Sequence, residues 1–228
     1  MLAIIPARRN SKGLKRKKIK VFYKKSLISH TIEIAISSKL IRKVLVTSDD
    51  ERVSNISKKY NVDYIINRPK RLSGDKTAAV DVYLHALNYL ENHFSYKPEE
   101  FIILQPTSPL RTQKHISEAY NLFKSKKSLS VISCTQARYP EEWKFKLSKS
   151  GIINKNNKKK LLVNRQNFYK TFYPNGVLFI INTKFFKKNK SYYSKKTYGY
   201  IMNQFDSIDI DDIYDFKLAE AAYCLKKF

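Results

Sequence analysis

The segment Leu2-Ala3-Ile4-Ile5-Pro6-Ala7 is a short unbroken apolar run that passes at once into the charged loop Arg8-Arg9-Asn10-Ser11-Lys12. A strand buried on both faces has this pattern, and such strands belong to parallel sheets covered by crossover helices. The chain supplies those helices in alternation. Ile28, Thr31, Ile32 and Ala35 have helical spacing, and Lys43 to Thr47 reads as a second strand leading into Ser48-Asp49-Asp50, a helix start. Val80, Tyr83, Leu84, Leu87 and Leu90 mark another amphipathic helix, Phe101 to Leu104 a strand, Ile116 to Phe123 a helix, and Leu129 to Cys134 a strand. This order predicts an α/β fold: a Rossmann-like, doubly wound, mostly parallel sheet with right-handed crossovers.

Between about Pro140 and Tyr173 the pattern loosens into polar sequence, including the lysine-rich run from Asn154 to Lys160, which predicts an inserted arm rather than a linker. Regular structure resumes with a strand at Val177 to Ile181 and closes with a helix from about Asp212, whose Phe216, Ala219 and Tyr223 share a face. A length of 228 residues fits one domain, 1–228. No stretch approaches the about 18 consecutive apolar residues of a membrane span, and nothing near the start reads as a signal peptide. With Cys134 and Cys224 far apart, a soluble protein of the reducing cytoplasm, with no membrane partner, is expected. The net charge of +26 would attract polyanions. The lysines are nevertheless spread from end to end without a nucleic-acid-binding signature, so no nucleic-acid partner is expected, and a polyanion-binding protein is the non-enzyme alternative.

In open α/β sheets ligands sit beyond the carboxyl ends of the strands, which directs attention to three polar segments. Arg8 through Lys17 follows the first strand. Backbone amides near Gly13 can approach phosphate oxygens, while Arg8, Lys12 and Lys17 can neutralise a triphosphate; the spacing of a P-loop is missing. A solvated basic turn is the competing reading. Leu104-Gln105-Pro106-Thr107-Ser108-Pro109-Leu110-Arg111 is stiffened by two prolines and followed by Thr112, a helix cap. In Asp206-Ser207-Ile208-Asp209-Ile210-Asp211-Asp212, alternation puts Asp209 and Asp211 on one face, where two carboxylates can share a hard cation, magnesium being the candidate. The competing reading makes Asp211 and Asp212 the N-terminal charge of the last helix.

Together these segments, with Arg68-Pro69, Pro174-Asn175-Gly176 and Ser207 through Asp211, resemble the CMP-sialic acid synthetases, or N-acylneuraminate cytidylyltransferases, over almost the whole chain. The resemblance implies transfer of CMP from CTP to the anomeric hydroxyl of an acidic nine-carbon (nonulosonic) sugar, with release of pyrophosphate. N-acetylneuraminate is the first candidate; legionaminate, pseudaminate and the eight-carbon Kdo are the alternatives. It implies CTP contacts from Arg8, Ser11, Lys12, Gly13, Lys17, Arg68, Thr77 and Ala79, and sugar contacts from Gln105, Arg165 and Phe179. Tyr192 and Tyr193 correspond to an aromatic pair supplied by the partner of a homodimer, whose arm would comprise 140–173 and roughly 183–196. Asp209 and Asp211 match the family's magnesium ligands, and Arg8, Lys12, Lys17 and Asp211 its catalytic groups, Asp211 assisting deprotonation of the sugar. The family's Gly-Leu-Pro-x-Lys-Asn reads Gly13-Leu14-Lys15-Arg16-Lys17-Lys18 here. Ala79 replaces a frequent serine, Phe179 lacks a tyrosine hydroxyl, the tyrosine pair replaces phenylalanines, and Glu142 stands where some relatives have a basic residue.

Overall fold

The computed structural model describes residues 1–9, 13–14, 17–154, 164, 166 and 168–225. In chain order the elements are β1 (Leu2–Ala7), β2 (Val21–Phe22), β3 (Lys25–Ser26), α1 (Leu27–Ile36), β4 (Lys43–Ser48), α2 (Glu51–Lys59), β5 (Tyr64–Asn67), α3 (Ala79–Phe94), β6 (Glu100–Leu104), α4 (Gln113–Ser125), β7 (Ser130–Gln136), β8 (Lys146–Leu147), β9 (Ile153–Asn154), β10 (Phe172–Asn182), α5 (Thr183–Asn189), β11 (Thr197–Met202) and α6 (Ile213–Leu225).

Seven strands form the main sheet in the order β11-β7-β10-β6-β1-β4-β5. All neighbours are parallel except β10, which runs against both β6 and β7. The expected mostly parallel α/β sheet is therefore present. The period-2 alternation of β1 shows why: Ala3, Ile5 and Ala7 pack with Ile28 and Ile32 of α1 and Ile116 and Phe123 of α4. Leu2 and Ile4 face the other way, onto Tyr83, Leu87 and Leu90 of α3 and Phe186 of α5. Two helical layers thus bury both faces of one strand, which is why its sequence is apolar throughout. In α3 the most deeply buried side chains are Val82, Tyr83, Ala86, Leu87 and Leu90, while Val80 and Leu84 only flank that stripe.

From β1 the chain winds outward through β4 to β5, then returns to β6 on the opposite side of β1. The order reverses between β1 and β6, the topological switch at which open α/β sheets hold ligands. Because β10 is antiparallel, its first residues lie at the carboxyl ends of the other strands. A third core, built from Phe22, Leu27, Leu110, Ile210, Phe216, Ala219 and Ala222, fastens α6 and the aspartate segment beside that switch. Among the described residues no helix is long and apolar enough to cross a membrane.

Candidate functional site

Arg8 leaves the carboxyl end of β1, and its Nη1 lies 3.1 Å from Asp75 Oδ1. The next amide, that of Arg9, donates to Asp49 Oδ1 at 2.8 Å, which ties the loop after β1 to the loop after β4. Arg68, just past β5, is buried; its Nη2 donates to the Thr47 carbonyl at 2.8 Å and its Nε to Thr47 Oγ1 at 3.4 Å. Burial lowers its pKa below the ordinary arginine value, and Asp49 opposes the shift. Arg8, Lys18, Arg68, Thr77, Ala79, Tyr83, Gln105 and Thr107 contribute to the lining of a cavity of about 330 Å³ at the switch point.

The proline-stiffened loop after β6 is bolted in place by Arg111. This buried side chain donates Nη2 to the Gln105 carbonyl at 2.6 Å and Nε to the Val177 carbonyl of β10 at 2.9 Å. Burial pushes its pKa down to about 9, Asp209 pulling the other way, so it stays charged at neutral pH. Thr112 caps α4 as expected, with its hydroxyl accepting from the His115 amide and His115 Nδ1 accepting from the Thr112 amide.

Ile210 organises the aspartate segment. Its side chain is fully buried, its amide donates to the Thr107 carbonyl at 2.9 Å, and its carbonyl accepts from Lys17 Nζ at 2.5 Å. The carboxylates on either side diverge in environment. Asp211 is exposed and accepts from the same Lys17 Nζ at 2.9 Å, whereas Asp209 is half-buried, with Oδ1 covered and lacking a hydrogen-bond partner among the described residues. Burial raises the Asp209 pKa above the usual carboxylate value; Thr107 hydrogen bonding opposes this and the Asp211 charge adds to it. A covered oxygen without a donor is what a hard cation would satisfy, so Asp209 fits one. No cluster of three or more His, Cys, Asp or Glu that could hold a metal occurs among the described residues. Asp212 is the residue that caps α6, accepting from the amides of Tyr214 and Asp215. Gly13 packs against this segment: a Cβ there would lie 2.2 Å from the Asp211 carbonyl oxygen.

A second cavity, of about 580 Å³, is lined by residues including Tyr173, Asn175, Gly176, Phe179, Ile208 and Asp209. β10 slips register between Pro174 and Phe179, a bulge in which Gly176 adopts φ +75° and Asn175 is buried, donating to Ser207 Oγ at 2.8 Å. A Cβ on Gly176 would lie 3.6 Å from both Asp209 Oδ2, in the second cavity, and Gln105 Oε1, in the first. Gly176 thus stands between one side chain of each cavity's lining.

The structure accordingly brings Arg8, Arg68, Thr77 and Ala79 together in the first cavity, where Gln105, expected at the sugar, also lies. Phe179 and Asp209 line the second. Lys17 is in the wall between β1 and the aspartate segment. Tyr192 packs within its own chain, on Phe179, Phe186 and Tyr83, and Tyr193 is exposed. Ser11, Lys12 and Arg165 lie outside the described residues. Asp75 and Tyr83 carried no sequence signal beyond an acidic turn residue and a helix-face aromatic, and Lys18 stood only as a departure from the family pattern.

Residues 2–226 match the family model described as cytidylyltransferase. The chain is 34% identical over 220 residues to the N-acylneuraminate cytidylyltransferase of Escherichia coli O18:K1:H7, an alignment covering 96% of this chain and 51% of that protein. The chain thus spans about half the length of that relative. It is 29% identical to the CMP-N,N'-diacetyllegionaminic acid synthase of Campylobacter jejuni serotype O:2, with 99% of this chain and 96% of that one covered. Its fold is that of a CMP:2-keto-3-deoxy-manno-octonic acid synthetase solved in complex with CTP, with TM-score 0.70, 12% identity, and coverage of 99% and 98%.

Proposed function

The chain belongs to the cytidylyltransferase family, and on that premise we propose that it transfers CMP from CTP to the anomeric hydroxyl of a nonulosonic acid, releasing pyrophosphate. The observation that carries this reading is that Gly176 stands between Gln105 of a cavity rich in cations and Asp209, a carboxylate of raised basicity that lines a second cavity. CTP occupies the first cavity, its phosphates facing Arg8 and its entry bounded by Thr77 and Ala79. The sugar occupies the second. Its hydroxyl oxygen attacks the α-phosphorus at the seam; that O–P bond forms as the bond to pyrophosphate breaks, and pyrophosphate leaves with the electron pair. The proton passes to a carboxylate. Asp209 is better placed to take it than Asp211, because Asp209 lines the sugar cavity and burial raises its own basicity, while Asp211 is engaged by Lys17.

Asp209 and Asp211 would hold magnesium, which supplies charge neutralisation for the phosphates and acidifies the attacking hydroxyl. Arg111 ties Gln105 to β10, and Gly13 packs closely on the Asp211 backbone. The exposed apolar side chains Leu147, Ile152 and Ile153 of the arm support a homodimer.

N-acylneuraminate fits the relative at 34% identity. A less hydroxylated acid of the legionaminate kind is favoured by one feature of the second cavity, the apolar side chains of Phe179, Ile208 and Leu218 in its lining. The test is incubation with CTP, magnesium and a panel of nine-carbon acids plus Kdo, scoring CMP-sugar by mass. Product with a nine-carbon acid supports the reading, and product with Kdo alone refutes it.

A further inference from the structure

Ser207, Ile208 and Asp209 form a continuous piece of the second cavity's wall, and the chain is pinned at both ends of it. Ile210 is one pin, through its buried side chain and the bond from its amide to the Thr107 carbonyl. Asp206 is the other. It is buried, its Oδ2 accepts from Asn203 Nδ2 at 2.5 Å, its amide donates to Asn203 Oδ1 at 2.8 Å, and the same Oδ2 stands 3.4 Å from His115 Nε2. We propose that His115 and Asp206 form a positioning pair that sets where Asp209 meets the sugar, so that the connection from β6 into the first turn of α4 holds both ends of the wall.

This inference rests on the sugar reading of the second cavity. His115 is the third residue of α4 and closes its capping box, with Nδ1 accepting from the Thr112 amide at 3.1 Å. A neutral imidazole that accepts on one nitrogen carries its hydrogen on the other, so an N–H at Nε2 is what His115 offers Asp206. The separation is longer than an ideal hydrogen bond, and the attraction is that of a carboxylate for an N–H dipole. A buried carboxylate needs such donors. Glutamate, a usual residue at this place in a capping box, would turn a second carboxylate toward Asp206 instead. Beyond Asp206 the pin continues toward the bulge of β10. Ser207 Oγ donates to the Asn203 carbonyl and accepts from Nδ2 of Asn175, the buried neighbour of Gly176. His115 itself lines neither cavity, so its effect on the reaction passes through Asp206.

The test is steady-state turnover of a nine-carbon acid with CTP and magnesium by the full chain and its His115→Gln and His115→Glu variants, with CTP binding followed by calorimetry. The two new side chains match in size and both close the capping box, but only glutamine keeps an N–H for Asp206. His115→Gln should hold kcat/KM for the acid within about threefold of the parent, whereas His115→Glu should lose about tenfold or more, with CTP affinity in both within about twofold. Asp206→Leu, of similar volume, should show the same loss at unchanged CTP affinity, and it decides the matter where His115→Glu fails to fold. Equal activity of His115→Gln and His115→Glu, near-parental activity of Asp206→Leu, or CTP affinity falling in step with turnover overturns the inference and leaves the functional reading standing. A parent that turns over no nine-carbon acid overturns both.

Discussion

Gly176→Ala separates the backbone role of the β10 bulge from its role as the seam between cavities. Gly176 sits at φ +75°, a conformation that costs an L-residue roughly 1–2 kcal/mol. The new methyl meets Asp209 Oδ2 and Gln105 Oε1 at 3.6 Å, ordinary contact distances, so steric overlap adds little. For a domain of this length the strain corresponds to a fall in Tm of roughly 2–8 °C. The functional effect is larger. On the proposed mechanism the methyl would enter the space through which the sugar hydroxyl approaches phosphorus, and displacing a reacting atom by about 1 Å costs on the order of a hundredfold in rate. Gly176 does not line the first cavity, so CTP affinity should hold. The assay is pyrophosphate release at saturating substrates, with CTP binding and thermal unfolding measured on the same preparation. Turnover within about threefold of the parent, or CTP affinity falling in step with turnover, would refute the placement of the seam.

Stability should depend on pH through Lys18. Its folded pKa of about 8 lies below lysine's ordinary 10.5, so the cost of burying the charge is fully present below pH 8 and is relieved as pH rises to 10.5. The difference corresponds to about 3 kcal/mol at most. Lys18→Asn should therefore be more stable than the parent in urea unfolding at pH 7, with the gap narrowing toward pH 10; a gap independent of pH counts against this. Arg111→Met should lower unfolding free energy by about 2–4 kcal/mol, because the Gln105 and Val177 carbonyls lose their donor, and a change below about 0.5 kcal/mol would show that the bolt is dispensable. Leu147→Asp with Ile153→Asp should give a monomer by light scattering; an unchanged dimer, or a parent that is itself monomeric, would remove the arm from the interface.

The parallel sheet was legible because burial on both faces leaves an unbroken apolar run, as in β1, and α1, α3 and α4 announced themselves by period. β5 and β11 were not legible. Tyr64–Asn67 and Thr197–Met202 lie at the two ends of the sheet, where one side has no strand partner among the described residues and the sequence need not be apolar. The reversal of β10 was also silent, since strand direction is set by crossover length and packing rather than by composition. Among site residues, spacing placed Asp209 and Asp211 together but could not tell that Ile210, anchored in the third core, leaves one half-buried and the other exposed. Likewise, adjacent lysines look equivalent in a basic loop, and only the docking of the aspartate segment turns Lys17 into the wall and leaves Lys18 at the cavity. The bulge at Pro174-Asn175-Gly176 was visible as a motif, but its meaning depends on Gln105 and Asp209 arriving from distant parts of the chain.

The proposed reaction joins CMP to a nonulosonic acid beside Asp209 and Asp211. Pyrophosphate release measured with CTP, a nine-carbon acid and magnesium, each omitted in turn, tests it directly, alongside Asp209→Asn and Asp211→Asn. Release is expected only when all three are present, with at least about a hundredfold loss of turnover in each variant and thermal unfolding still cooperative. Release without the acid, turnover undiminished by removing the cation, or near-parental activity in both variants would contradict it.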